Sequence, residues 1–322
     1  MAWAFIFVVN NQIMKILTTA ILLMLTLIVV PAFSYFSGVA LTIEGNVLLV
    51  ELGMMALVAA GYCFLVSEIT KNYSQVDKLW SLLPMLYVGY VAWKGDWDPR
   101  LVVMWVLTVL WGIRLTGNFA LKGAYKWKFW EGEEDYRWSI LRAKKEFQPG
   151  WKWSLFNLFF ISLYQNGLIL LFTLPSVIAF DQRGKEMYGL DYLAAGLMFF
   201  FIAFEMVADW QQWQYQSGKW KAINQGGELT EDQKRGFLNK GLWALSRHPN
   251  YFAEQSIWIS FYLFSVAASG QWINWSLTGA LLLLLLFQGS ADFSEEISAG
   301  KYPEYKTYQK MLSKFIPLPK IK

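Results

Sequence analysis

One cysteine and one histidine are all that this chain of 322 residues carries of the two side chains that most often hold transition metals. Lone Cys63 permits neither a disulfide within the chain nor a thiolate metal site. Inside an apolar run it reads as a small buried hydrophobe. Lone His248 excludes a multi-histidine zinc site and any catalytic triad whose histidine lies elsewhere. Charge is also scarce, at 16% of residues against 56% hydrophobic, and the net charge is only +4. So small an excess reads as loop bias, not as a nucleic-acid surface. Neither GxGxxG nor GxxxxGK[ST] occurs, so a nucleotide would have to bind among helices and not in a Rossmann unit.

What is present is apolar sequence in long runs. Residues Ile16 to Ile43 and Gln255 to Ala291 contain no charge at all. Runs of that length can cross a bilayer. The 18 Trp and 16 Tyr often flank such runs, as at Trp80, Trp93, Trp151, Trp153, Tyr188 and Trp275, where an aromatic belt sits. The expectation is an all-α, polytopic transmembrane helical bundle of seven or eight spans. They fall near 16–36, 47–66, 79–94, 101–120, 153–180, 190–214, 252–270 and 273–289. The first run follows Lys15 but lacks a small-x-small exit, so it reads as a span and not as a cleaved signal. No internal repeat or low-complexity segment is visible, and residues 1–322 read as a single membrane domain.

Basic residues orient the spans. Lys122, Lys126, Lys128, Arg137, Arg142, Lys144, Lys145 and Lys152 crowd the loop 121–152. The loop 215–251 and the tail, to Lys320 and Lys322, are similarly basic. All three are expected on the cytoplasmic side by the positive-inside rule, with 67–78 beside them. The loops 37–46, 95–100 and 181–189 are expected outside. An integral membrane protein, in contact with the bilayer and with no nucleic-acid or metal partner, is the reading that follows.

Ionisable groups within apolar spans need a partner or a task. Glu205 and Asp209 are four apart and share a helix face, which Gln212 and Gln216 continue. They could lock helices by ion pairing, or accept hydrogen bonds from ribose or substrate hydroxyls. Arg114 follows Gly112, which allows close backbone approach, and could pair with those carboxylates or grip a phosphate. Asn72 to Lys78 is dense in hydrogen-bonding groups at a membrane border, as a capped polar loop would be. Glu68 precedes it and could snorkel.

Ser246-Arg247-His248-Pro249-Asn250-Tyr251-Phe252-Ala253-Glu254 is the sharpest feature. Pro249 suits a first helical position, with His248 as N-cap. Free N–H groups there, with Arg247 beside them, make an anion site. A lone histidine is usually structural; here it stands among Arg, Asn and Tyr. Further on, Tyr302, Tyr305 and Tyr308 recur at period three, as in a surface amphipathic helix or a lid over a cofactor.

The Arg247–Tyr251 run with Glu254 resembles the C-terminal region of steroid 5α-reductases and sterol reductases. A related motif occurs in isoprenylcysteine carboxyl methyltransferases. Asn72 to Trp80, Trp111 to Arg114, the Glu205/Asp209/Trp210/Gln211 cluster and Tyr302-Pro303 through Phe315-Ile316-Pro317 follow in order. Together they make the chain similar to the bacterial branch of the 5α-reductase family over roughly residues 50–320. The part from 240 to 320 resembles that family's NADPH-binding region.

The resemblance implies a membrane reductase that uses NADPH to reduce the carbon–carbon double bond of a 4-ene-3-oxo steroid or similar enone lipid. It implies cofactor phosphates near Arg114, Arg137 and Arg247, with His248, Asn250, Tyr251 and Glu254 around them. Glu205 and Asp209 would accept hydrogen bonds from ribose or amide. Animal members carry a Gln-Glu pair in an early span; none occurs here. Asp77 or Glu68, with Tyr73 in support, is the expected acid at the substrate carbonyl. The stretch Phe287 to Glu296 lacks the Arg and His of animal members, and Ala253 stands where Gly is commoner. The alternatives are an S-adenosylmethionine-dependent methyltransferase of the isoprenylcysteine type and a non-catalytic sterol- or lipid-binding protein.

Overall fold

The computed structural model describes residues 21–22, 24–147 and 150–318. Lys15, residues 16–20 of the first expected span, and Lys320 and Lys322 lie outside them. Among the described residues the chain is all-α. In order, the helices are α1 (Val30–Ser37), α2 (Ile43–Thr70), α3 (Gln75–Trp80), α4 (Leu82–Lys94), α5 (Pro99–Leu121) and α6 (Tyr136–Arg142). Then come α7 (Gly150–Thr173), α8 (Pro175–Asp181), α9 (Gly189–Asn224), α10 (Glu231–Arg235), α11 (Pro249–Ser269), α12 (Leu277–Lys301) and α13 (Tyr305–Met311).

Local chemistry sets the ends. Thr42 caps α2 by accepting from Gly45 N, and Lys71 closes it in the left-handed region at φ 57°. Asp98 caps α5, where Pro99 takes the first helical position. Thr230 and Gln233 form a reciprocal capping box on α10. Pro175 ends α7 and starts α8, which splits the expected span 153–180 in two.

Among the described residues, five helices are long and apolar enough to cross a membrane: α2, α5, α7, α9 and α12. They coincide with the expected spans at 47–66, 101–120, 153–180, 190–214 and 273–289. The stretch 79–94 differs. Ser81 separates α3 from α4, and the 13 residues of α4 reach about 20 Å, short of the ~30 Å hydrocarbon layer. The stretch 252–270 is α11, of 21 residues, with Asn250, Glu254 and Gln255 in its first turns.

The chain divides into two compact units. The first holds residues 1–195 and 261–282, the second 196–260 and 283–322. In the first unit α2, α4, α5, α7 and α8 pack on one another, with α3 wedged against α2, α4 and α7. Glycines permit the closest approaches. A Cβ on Gly112 would stand 2.6 Å from Met85 Sδ and 2.8 Å from Ser81 O. One on Gly279 would stand 2.2 Å from the Leu171 carbonyl. Arg100 and Asp191 form a fully buried ion pair here.

In the second unit Tyr305 and Tyr308 are buried around Phe237, with Tyr302 beside them. The Tyr308 hydroxyl donates to the carbonyl of Trp243 at 2.5 Å. The three-residue period of tyrosines builds a small aromatic core: Tyr305 and Tyr308 face inward from α13 while Lys306, Thr307 and Lys310 stay exposed, an amphipathic helix as the period suggests. The physical reason is that Gly236, at φ 93°, lets the Tyr302 ring lie where a side chain would otherwise stand.

Candidate functional site

The polar segment Asn72–Lys78 of the first unit is densely hydrogen-bonded. Lys78 is fully buried, and its Nζ donates to the carbonyls of Phe129 at 2.8 Å and Glu131 at 2.6 Å. Gln75 donates to Trp130 O, and Asn72 Nδ2 to Gly132 O. Tyr73 N donates to Glu134 Oε1, and its ring meets Trp153 edge-on at 5.1 Å. These contacts fasten the loop 123–135 onto α3. Burial pushes the Lys78 ammonium pKa down.

Asp77 faces this loop. Its Oδ2 accepts from Trp138 Nε1 at 2.8 Å. Burial raises its pKa, and the nearby Asp135 charge raises it further. Burial acts on Asp135 in the same sense, but Arg137 outweighs it. The Arg137 guanidinium grips Asp135 at two points, 2.8 and 2.9 Å, and holds its carboxyl below the usual range. Two neighbouring carboxyls are thus pushed apart, one toward the neutral form and one toward the charged form. Glu68 stands differently: Asn157, Ser154 and Lys71 already occupy its oxygens, at 2.8, 3.1 and 3.4 Å. Arg114 lies half-buried on α5, two residues after Gly112.

In the second unit Pro249 opens α11, with His248 O accepting from Phe252 N at 3.1 Å. Arg247 does not stand open beside that helix start. Its Nε donates to Glu295 Oε1 at 2.7 Å, and its Nη1 to the carbonyls of Gln309 and Leu312. His248 Nε2 shares Glu295 Oε1 at 2.9 Å, and Gln309 donates to Oε2 at 2.8 Å. The Tyr251 ring stacks on His248 at 5.1 Å, and Phe287 meets Tyr251 at 4.8 Å. Glu254 accepts from Trp258 Nε1 at 3.1 Å. Glu295 on α12 thereby ties the segment Arg247–His248, just before α11, to Gln309 on α13.

Asp209 and Asn250 meet across this unit, with Asn250 Nδ2 donating to Asp209 Oδ1 at 3.3 Å. Glu205 lies one turn before Asp209 and is 4% exposed. Two acceptors around Asp209 have no partner among the described residues: Asn250 Oδ1 and Gln212 Oε1. Buried acceptors in that state suit hydroxyl or amide donors.

Residues 63–312 match the family described as "Protein of unknown function (DUF1295)". The chain belongs to that family. DUF1295 is a steroid 5α-reductase-like family. The chain is also 38% identical, over 264 residues, to an uncharacterized protein of the fission yeast Schizosaccharomyces pombe; the match covers 78% of this chain and 74% of that one. No solved structure matches.

Every candidate residue falls inside the DUF1295 stretch. The first unit brings together Tyr73, Asp77 and Arg137, with Glu68 at the end of α2. The second brings together Asp209 with Asn250, and Arg247 with His248 and Tyr251. Sequence reading missed Asp135, Trp138, Lys78 and Glu295 in this DUF1295 chain. Asp135 carried a faint signal, as the N-cap before Arg137. Glu295 carried none, because its partners lie 47 and 48 residues away.

Proposed function

We propose that this protein is an integral membrane reductase that uses NADPH to reduce the carbon–carbon double bond of a 4-ene-3-oxo steroid or a similar enone lipid. The observation that carries the reading is the arrangement of two carboxyls: Asp77 held by Trp138 Nε1 at 2.8 Å, beside Asp135, which Arg137 grips at 2.8 and 2.9 Å. Conjugate reduction develops negative charge on the carbonyl oxygen and then needs a proton at the α-carbon. A carboxyl kept neutral can donate the hydrogen bond first and the proton afterwards. Of the two acids expected from the sequence, the geometry favours Asp77, since Glu68 is already engaged by three donors. Trp138 orients Asp77, and Tyr73 packs beside it on Trp153.

NADPH fits one part of the second unit better than another. The orphaned acceptors Asn250 Oδ1 and Gln212 Oε1, with Asp209 between them, suit ribose hydroxyls or a carboxamide. Arg247 is largely committed to Glu295 and two carbonyls, which leaves only its Nη2 edge for a phosphate. In this reading Arg247, His248, Tyr251 and Glu254 shape the site, all of them within the second unit. Bound NADPH would supply a hydride to the β-carbon. The basic loops and the C-terminus would face the cytoplasm, in a bacterial inner membrane if the sequence resemblance extends to origin. Purified protein, NADPH and a 4-ene-3-oxo steroid provide the test, with the product identified by mass and stereochemistry. Failure to form the saturated ketone from any enone lipid tried would defeat the proposal.

A further inference from the structure

Five fully buried polar side chains gather where α2, α3, α4 and α7 pack together. They are Cys63 and Ser67 on α2, Gln75 on α3, Tyr87 on α4 and Asn166 on α7, each 0% exposed. Cys63 links part of the group: it interacts with Asn166 and with Tyr87, and at longer range with Asp77. Ser67 is one turn along the same face of α2.

Four of the five carry an atom with no hydrogen-bond partner among the described residues: Ser67 Oγ, Gln75 Oε1, Tyr87 Oη and Asn166 Oδ1. Their other polar atoms are satisfied from the backbone. Asn166 Nδ2 donates to Ser162 O at 2.8 Å, and Gln75 Nε2 to Trp130 O at 3.0 Å. Buried polar groups find partners in the protein or in ordered water. Four left unmet would offset much of the net stability of a folded chain.

The unmet set has both senses. The hydroxyls of Tyr87 and Ser67 donate or accept, while the oxygens of Gln75 and Asn166 only accept. An anion would meet two carbonyl oxygens, and a metal would find no charged ligand among these five. Water both donates and accepts, so it can meet buried hydroxyls and carbonyl oxygens alike. We propose that ordered water occupies this junction and joins Asp77 to the interior of the first unit.

The purpose of the link rests on the reductase reading. After hydride addition, the water passes the Asp77 proton inward to the α-carbon of the enolate, where a C–H bond forms. Asp77 then recovers a proton from the aqueous side of the loop. The groups that face Asp77 are Asp135, Arg137, Trp138 and Ser74, with Lys78 next to it and Tyr125 and Cys63 at longer range.

The single thiol makes the test direct. Cys63 gives the one S–H stretching band of the full chain, which can be followed by infrared spectroscopy after transfer of the membrane-reconstituted protein into D2O. Exchange to S–D is expected at least about a hundredfold faster than exchange of the buried amides of α2 in the same sample. The band is also expected to shift as Asp77 ionises, and to lose that pH response in Asp77→Asn. Tyr87→Phe, which removes one lining hydroxyl and keeps the ring, is expected to slow S–D exchange. Exchange as slow as the core amides overturns the water site. A pH response that survives Asp77→Asn overturns the link. Enone reduction is assayed separately, so loss of the reductase reading alone would leave these spectroscopic results standing.

Discussion

The Arg100 guanidinium holds both oxygens of the Asp191 carboxylate, Nε to Oδ1 at 2.7 Å and Nη2 to Oδ2 at 3.0 Å, with both side chains essentially out of contact with solvent. The same Nη2 reaches Glu186 O, and Asp191 also accepts from Tyr188 N. The start of α5 is thereby fixed to the start of α9 within the first unit. Removing one partner strands a buried charge, at a cost of about 3–5 kcal/mol. Arg100→Ala is expected to lower the thermal unfolding midpoint in detergent by more than the double change Arg100→Met with Asp191→Leu. Equal losses would show that the pair has no such role.

Asp77→Asn is expected to reduce enone turnover by about 10²–10³-fold with little change in KM, the scale of losing one well-placed donor in a transition state. The wild-type rate should fall as pH rises through the raised Asp77 value, where the donor loses its proton. Stability follows the same sign. The folded chain holds this proton more tightly than the unfolded chain. The contribution is therefore complete below the ordinary aspartate value of 3.8 and is lost as pH rises through the raised folded value. Unfolding midpoints of the Asn variant should decline less over that window than those of the wild type.

Glu295→Ala removes the shared acceptor of Arg247, His248 and Gln309. About 3–5 kcal/mol of stability in the second unit should go with it, since Arg247 is left buried and unpaired. Hydrogen exchange and limited proteolysis should both accelerate in residues 305–318, which Arg247 and His248 hold through the backbone of Ser313 and Lys314. Unchanged protection there would contradict the pinning role.

Gly279→Ala and Gly45→Ala test the close contacts. Each new Cβ would lie 2.2 Å from a neighbour, the Leu171 carbonyl in one case and Asp181 Oδ1 in the other. The Leu171 contact is backbone and cannot swing aside, so Gly279→Ala should cost about 1–3 kcal/mol. Asp181 is fixed less firmly in space, but it holds Thr42 by two bonds of 2.6 Å, so Gly45→Ala should loosen that cap as well. Thermal unfolding of the two variants ranks them.

Runs of apolar residues made five of the helices legible from the sequence, and Pro249 placed the start of α11 correctly. Both signals are local. The break at Ser81 was not visible, because Leu79 and Trp80 run into the apolar stretch of α4 and read as the start of one span. The side chains around the candidate site were legible as residue types but not as partners. Arg247 was read beside an open helix start, whereas Glu295 reaches it from 48 residues away. Asp135 and Trp138 reach Asp77 across a loop whose path depends on Lys78. A single sequence records none of these distances.

Lys78 also imposes an order of assembly. Its carbonyl partners, Phe129 and Glu131, are made 51 and 53 residues later. Lys78 can therefore take its final partners only after α4 and the whole of α5 have been made, so the buried seat of α3 is completed by chain that is synthesised two helices later.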